Sequence, residues 1–460
     1  MNIRDTLYTE MQNSKAEFNP IFSRKNFLEE LRESLLYAAK TLEFINLLQP
    51  EDAPKFVKVI GVEYDNPKKD HASTVEENKF MVAKITIDLC AKGERERKVI
   101  VLNVPFVSAT NLMRINDIDY TPIFQMIDKG MYRVGDNLLL KTLLMPITLK
   151  PVKSKLSDLQ TINVSLLKKS FNPLSVLPVD SYQEALDFYG VGRRDWMVAE
   201  KEAEDNPKFH CYSVTKKKNL FIRKSKAPEH VATVIADYII GNKLYLKDPD
   251  DKSVQDALLT KLFRTRKNPM AISLQRCIDS STQANLVHIA DKDKESVHHV
   301  IRYMLYFFKH SFDGLHLNNK RVRLAEVTAL PLVAAFSEAS YRLLNSANSL
   351  TLNRLTRSFN IHGQNQDFLV SKMISSGLVR PISSTSSIQL WDLTKFTLSG
   401  TQGISAIPVV ARQQHPSQLG QVGLHSTSVS DPGASGNLTP YSTISPKGFF
   451  DEEVDLITPY

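Results

Sequence analysis

The sequence predicts a multi-domain α+β protein of mixed antiparallel sheets and helices. Three observations predict it. Apolar residues fall at helical spacing over residues 24–48 and again over 326–350. Over residues 56–106 they alternate at strand spacing, so the two element types are segregated along the chain rather than interleaved as βαβ units. The chain has 460 residues, 42% hydrophobic and 23% charged, enough for two or three domains with a sizeable core.

Taken in order, Leu28, Leu31, Leu35, Leu36, Ala39 and Leu42 recur close to a 3.6-residue period, and Pro50 ends that helix. Residues 56–62, 80–89 and 98–102 are rich in β-branched residues, and Ala83 to Leu89 alternates with period 2. Polar segments at 66–70 and 92–97 read as the loops of an antiparallel meander. Gly130 and Gly135 mark chain reversals. From residue 151 short helical patterns, such as 182–189 and 228–239, alternate with basic loops. Residues 296–312 are strongly helical, and 383–387 opens a loop-rich tail. Composition alone reads 425–448 as disordered, because bulky apolar residues are sparse there. The expected divisions are 1–150, 151–312, 313–385 and 386–460. The sequence has no internal repeat and no run of 18 apolar residues, so no membrane partner is expected. Met1 to Asp5 lacks the apolar core of a signal peptide, and no targeting segment is read there.

Several chemistries are excluded. No Walker loop is present, and Gly190-Val191-Gly192-Arg193-Arg194-Asp195 lacks the third glycine of a dinucleotide fingerprint. Cys90, Cys211 and Cys277 form no C-x-x-C pair, which excludes a zinc ribbon and a disulfide framework. His298 and His310 are more than three helical turns apart and cannot share an ion. No G-x-S-x-G elbow occurs, and no D-F-D-G-D cluster of the kind two-metal polymerase chemistry uses. The chain is therefore expected to hold no metal or other cofactor and to carry no catalytic residue of its own.

Positive charge is clustered. The net charge is +8 and the pI about 9.1, a mild excess. Lys and Arg concentrate at 150–155, 216–226, 261–267 and 318–323, and Phe221 and Phe263 interleave the second and third clusters. Four such clusters favour a polyanionic partner over a merely solvated surface.

Ordered segments of the chain resemble the N-terminal half of the β subunit of cellular multisubunit RNA polymerases. Gly61-Val62-Glu63-Tyr64, Val82 to Leu89 and Val101 to Phe106 are similar to that family's early strands. Leu112 to Gln125 resembles a degraded FVINGTERVIVSQL, and Phe312 to Leu324 resembles DDIDHLGNRRVRSV. Lys395 to Gly403 is similar to RLSALGPGG, and Arg412, His415, Pro416 and Gly420 keep the spacing of VRDVHPTHYGR. The tract Ser430 to Asn437 stands where ETPEGPN is found, in a longer and looser form.

The resemblance implies a protrusion-like domain (1–150, with a return segment 313–385), a lobe-like domain (151–312) and a fork-like region near the active centre (386–460). It implies nucleic-acid contacts by Lys395, Arg412, His415 and Gln418, with Lys320, Arg321 and Arg323 positioning or bracing nearby elements. Cellular β subunits continue past the point matched by Tyr460, so a β subunit encoded in two pieces is implied, as in the polymerases of giant (phiKZ-like) bacteriophages. Its partners would be chains like the β C-terminal half and β′, a possible additional specificity subunit, template DNA and the RNA–DNA hybrid. The catalytic Mg²⁺ would belong to the β′-like partner. The setting would be the cytoplasm of an infected bacterium, with packaging in the virion left open. The rivals are a stand-alone binder of single-stranded nucleic acid and a phage structural protein.

Overall fold

The computed structural model describes residues 24–48, 53–65, 80–105, 113–115, 118–128, 130–142, 146–154, 157–166, 169–200, 207–215, 217–263, 278, 282–283, 286, 296–310, 315–323, 325–344, 350–359, 368–375, 379–381, 395–398, 413–423, 435–439, 442, 444–445, 448 and 450. The chain divides into two compact units. One joins Met1–Lys129 to Asp313–Tyr460, and the other is the insertion Gly130–Phe312. Helices and mostly antiparallel sheets occur in both, as the α+β class requires.

The first unit opens with α1 (Arg24–Lys40), which tightens into a 3₁₀ segment, Thr41–Leu48. The single helix expected over 24–48 thus changes its winding at Thr41. The Thr41 hydroxyl donates to Ala38 O at 2.6 Å, and Ser340 Oγ donates to Thr41 O at 3.0 Å, so side chains take up carbonyls that an α-ladder would use. The 3₁₀ segment then supports a strand edge. Glu43 Oε1 accepts from Val59 N at 2.8 Å, and Asn46 Oδ1 accepts from Val57 N at 3.0 Å.

Strands β1 (Val57–Asp65), β2 (Phe80–Ala91) and β3 (Glu94–Pro105) form the expected meander. Its buried face carries Ala83, Ile85, Ile87 and Leu89. Residues 94–97, expected in a loop, belong to β3. The reversal needs only Lys92 and Gly93, both at positive φ (52° and 85°), the conformation that matches strand twist in a two-residue hairpin. Three short strands follow: β4 (Met113–Ile115), β5 (Ile118–Pro122) and β6 (Phe124–Asp128).

The insertion begins with a sequential five-stranded meander. Its strands are β7 (Met131–Val134), β8 (Asn137–Lys141), β9 (Pro146–Lys153), β10 (Gln160–Leu166) and β11 (Lys169–Phe171). Gly135 makes the β7–β8 turn at φ 57°. Residue 151, where the sequence changes flavour, lies inside β9, whose strand pairs with β8 and β10.

Helix α2 (Tyr182–Phe188) is capped by Ser181, whose side chain accepts from Glu184 N. A second sheet has the order β12–β14–β13, from β12 (Trp196–Glu200), β13 (Phe209–Ser213) and β14 (Lys218–Arg223). Helices α3 (Glu229–Gly241), α4 (Lys252–Phe263) and α5 (Val297–Tyr306) complete the unit. One apolar core runs through it, from Leu138 to Leu305. Buried Gln255 donates to Leu174 O and Leu177 O and accepts from Tyr238 OH at 2.6 Å. Phe221 is 1% exposed, so it packs in this unit and presents no ring for a base to stack on. The Phe263 side chain lies outside the described residues.

The chain then returns to the first unit through β15 (Lys320–Arg323), α6 (Ala325–Leu344), α7 (Leu352–Ser358), α8 (Phe368–Ser375), β16 (Val379–Pro381), β17 (Lys395–Thr397) and β18 (Ser435–Asn437). β16 pairs with β5. β15, β17 and β18 assemble on β6 in the order β15–β6–β17–β18, with β17 parallel to β6. Ser435–Asn437, inside the tract that composition reads as disordered, is therefore a paired strand. Among the described residues no helix is long and apolar enough to cross a membrane.

Candidate functional site

The sheet around β6 gathers four distant pieces of chain: β15, β17 and β18 fall in segments singled out by the sequence, and β6 begins at the end of another. β6 is its hinge. Phe124, Gln125, Met126 and Ile127 are all buried, so both faces of the strand are covered. The sheet's two outer edges are closed by the tail. Val322 N on β15 donates to Gly448 O at 2.8 Å. Beyond β18, Gly423 N donates to Asn437 O at 2.8 Å and Thr439 N to Gln421 O at 2.9 Å. Edge groups that would otherwise invite pairing are thereby used. Gly448 sits at φ +85°, and a Cβ there would lie 1.8 Å from Val322 O, so only glycine permits this approach.

β15 carries Lys320, Arg321, Val322 and Arg323, and all four are buried. Glu326, in the first turn of α6, holds the arginines. Its carboxylate accepts from Arg321 Nη2 at 2.6 Å and Nη1 at 3.2 Å, a bidentate pair, and from Arg323 Nη1 at 3.3 Å. Arg323 Nε donates to Gln125 Oε1 of β6 at 3.1 Å. The ionic side chains are about 5% exposed, so this is a buried network that ties β15, β6 and the start of α6 together. Arg321 Nε and Gln125 Nε2 are buried there without a hydrogen-bond partner. In this geometry Arg321 and Arg323 brace the sheet, and their guanidinium groups face Glu326 rather than solvent.

Just ahead of β15, two histidine-capped 3₁₀ turns lie side by side. His316 Nδ1 accepts from Asn318 N at 3.1 Å, capping Leu317–Asn319. His415 Nδ1 accepts from Ser417 N at 3.2 Å, capping Pro416–Gln418. The rings are 5.0 Å apart, and Leu317 N donates to Ser417 Oγ at 3.0 Å. Ser417 Oγ lies 2.8 Å from His415 Nδ1. Because the Ser417 backbone N–H donates to Nδ1, that nitrogen carries no proton, and in the neutral ring the proton is on Nε2. The His415 motif is thus stapled to the β15 segment.

The site residues named from the sequence fall into separate groups. His415 and Gln418 share the stapled turn and are half-buried. Lys395 is half-buried on β17, opposite buried Asn437. By register it lies at the Phe124 end of β6, whereas Lys320 is opposite Asp128 at the other end. Arg412 lies outside the described residues. Sequence reasoning missed Glu326 and Gln125. The available signal for Glu326 was an acid in the first turn of a helix directly after an Arg-x-Arg strand. Among the described residues no group of three or more His, Cys, Asp or Glu could hold a metal ion.

No curated protein matches the chain. A family model described as a non-virion RNA polymerase subunit matches residues 2–453. That match spans nearly the whole sequence, including both compact units and every strand of the composite sheet: the chain belongs to the family of non-virion RNA polymerase subunits, which work in the infected cell.

Proposed function

We propose that the chain is the counterpart of the N-terminal half of the β subunit in a giant-phage multisubunit RNA polymerase. It forms one side of the DNA cleft and part of the wall around the RNA–DNA hybrid. The observation that carries this reading is the composite sheet. β15 and β17, each inside a segment that resembles a β-subunit motif, flank β6, which begins at the end of a third such segment, and β18, from the tract that stands where ETPEGPN is found, pairs with β17. Unrelated resemblances would have no reason to converge on one sheet.

The role of the chain is steric and electrostatic. Lys395 and Arg412 supply positive charge near the hybrid or template, which offsets phosphate repulsion and makes binding salt-dependent. His415 and Gln418 contribute polar side chains, half-buried on the stapled turn. Buried Arg321 and Arg323 hold the platform on which these groups sit. Mg²⁺ and the aspartates that bind it belong to a β′-like partner, and a chain like the β C-terminal half supplies the remaining contacts to the hybrid. Phage transcription in the bacterial cytoplasm is the activity of the whole assembly, a DNA-directed nucleotidyltransferase.

The test is co-purification from infected cells with quantitative mass spectrometry, followed by nucleotide incorporation on a primed template. The chain is expected in fixed stoichiometry with one chain bearing D-F-D-G-D and one like the β C-terminal half, and to be inactive alone. RNA synthesis by the isolated chain, or its recovery without such partners, would overturn the reading.

A further inference from the structure

The structure assigns a second surface, in the inserted unit, that fits the phosphodiester backbone of nucleic acid. It lies at one end of the β12–β14–β13 sheet and uses no residue of the composite sheet. Antiparallel pairing brings three chain segments to this end. Trp196 at the start of β12 is opposite Ile222 near the end of β14, and Phe209 at the start of β13 is opposite Arg223. The loop before β12 carries Arg193 and Arg194, the residue before β13 is Lys208, β14 ends on Arg223, and the turn after it carries Lys224 and Lys226.

The backbone locks these segments together. Lys224 N donates to Lys208 O at 2.9 Å, Arg223 N to Asp195 O at 2.9 Å, and Lys226 N closes the turn on Arg223 O at 3.1 Å. An added Cβ on Gly190 would lie 4.0 Å from Lys226 O, so the 190–194 loop runs beside that turn. The result is one cationic ridge made from three parts of the sequence.

The chemistry of the ridge selects its ligand. Arg193, Arg194, Lys208, Arg223, Lys224 and Lys226 are all exposed. Arg193 stacks over Trp196 at 5.2 Å, which leaves its charge at the surface. Two carboxylates lie at the loop: Asp195, paired with Arg223 at 3.3 Å and accepting from Gly192 N at 3.2 Å, and Asp187, which accepts from Gln183 Nε2 at 3.0 Å. Among the described residues, Arg194, Lys224 and Lys226 have no carboxylate within ion-pair distance. A protein partner would need an apolar centre with charges at its rim. Among the described residues of this sheet, Met197 alone is an exposed large apolar side chain. Cations spread along a ridge with little apolar surface suit evenly spaced phosphates instead. Half of the ridge is the loop that superficially resembles a dinucleotide fingerprint, and the other half is the basic run at 216–226.

The test is fluorescence anisotropy with the full chain. The probes are duplex DNA, single-stranded DNA and an RNA–DNA hybrid of about 20 nucleotides, titrated between roughly 50 and 200 mM salt. The variant is Arg194→Gln/Lys208→Gln/Lys224→Gln/Lys226→Gln. The control, Lys141→Gln/Lys243→Gln/Lys247→Gln/Lys252→Gln, removes the same charge from exposed positions elsewhere in the unit, outside every basic cluster of the sequence.

The ridge variant is expected to lose roughly tenfold or more in affinity at about 100 mM salt and to flatten the log–log salt slope by about 3, while the control keeps both. Comparison of the three probes identifies which nucleic acid supplies the phosphates. If the four-site variant does not keep the wild-type melting temperature, Lys224→Gln/Lys226→Gln alone is expected to flatten the slope by about 2. Equal losses in ridge variant and control, unchanged binding, or no binding by the wild-type chain would each overturn the assignment. So would a variant that keeps nucleic acid but loses a partner subunit, which would make the ridge a protein-docking surface. Subunit stoichiometry is a separate readout, so failure here is distinguishable from failure of the β-like reading.

Discussion

In the inserted unit, buried polar side chains find partners within the same stretch of chain. Gln255 binds Tyr238 OH and the carbonyls of Leu174 and Leu177, and Asn172 Nδ2 donates to Asp237 Oδ2 at 2.9 Å. In the composite sheet the buried network is built on the ionic Arg321, Arg323 and Glu326, and Arg323 and Gln125 meet across 198 residues. The first arrangement stabilises a unit that is continuous in sequence. The second makes two distant strands, β6 and β15, depend on one carboxylate. A buried ion pair is weak evidence of net stability, because desolvation offsets most of the Coulomb gain, yet breaking it is costly. The composite sheet should therefore be the more brittle of the two.

The sharpest way to break that contrast is Glu326→Ala. It leaves two buried guanidinium groups without their carboxylate and is expected to cost about 3–5 kcal/mol. Urea unfolding gives the total, and hydrogen exchange should place the loss at β6, β15 and α6. Protection lost equally in the inserted unit would show that the two regions do not differ as described.

In the inserted unit the matching change is Gln255→Leu. Tyr238 OH and two carbonyls lose their partner, and a loss of about 1–3 kcal/mol is expected. Exchange should rise in α3 and α4 and leave β6 unchanged.

The smallest effect is a pH dependence. Burial pushes the His230 imidazole below its ordinary range, against the opposing hydrogen bond from Nε2 to Leu305 O at 2.9 Å. Its Nδ1 is buried without a partner. A depressed folded-state value means the unfolded chain takes up the proton first. Stability is then full above the unfolded value, about 6.5, and falls as pH drops from there through the folded value. Melting curves from about pH 7.5 to 5 should show this decline, and His230→Gln should flatten it.

How much was legible follows from where the signal lay. The period-2 alternation of Ala83–Leu89 and the 3.6 period of Leu28–Leu42 are local, and both elements stand where they were expected. β18 was not legible, because Ser435-Gly436-Asn437 has no strand propensity. Pairing with β17 and with residues 421–423 makes it a strand. Arg321 and Arg323 stood out as part of a basic cluster, and the resemblance set them near nucleic acid as residues that position or brace. Their burial depends on Glu326 and Gln125, one in the next element and one in a strand far upstream, and no periodicity reveals either. For the ridge of the inserted unit, the basic run at 216–226 stood out in the sequence, but its union with Arg193, Arg194 and Lys208 did not. Its cations belong to three separate segments that only the register of β12, β13 and β14 unites.

The closure of β15 by Gly448 bears on the order of events during synthesis. The inserted unit can fold when its own residues have left the ribosome, since its core and polar partners lie between 130 and 312. β6 has no such option. Its neighbours are β15, β17 and, through β17, β18, and the carbonyl that closes β15 lies at position 448. Between β6 and that carbonyl stand roughly three hundred residues, about 15–60 s of translation at bacterial rates. For that interval a strand that must bury Phe124, Met126 and Ile127 has to be kept from wrong partners. The nascent chain is thus most exposed to misassembly at residues 124–127, long before the surface meant for transcription exists.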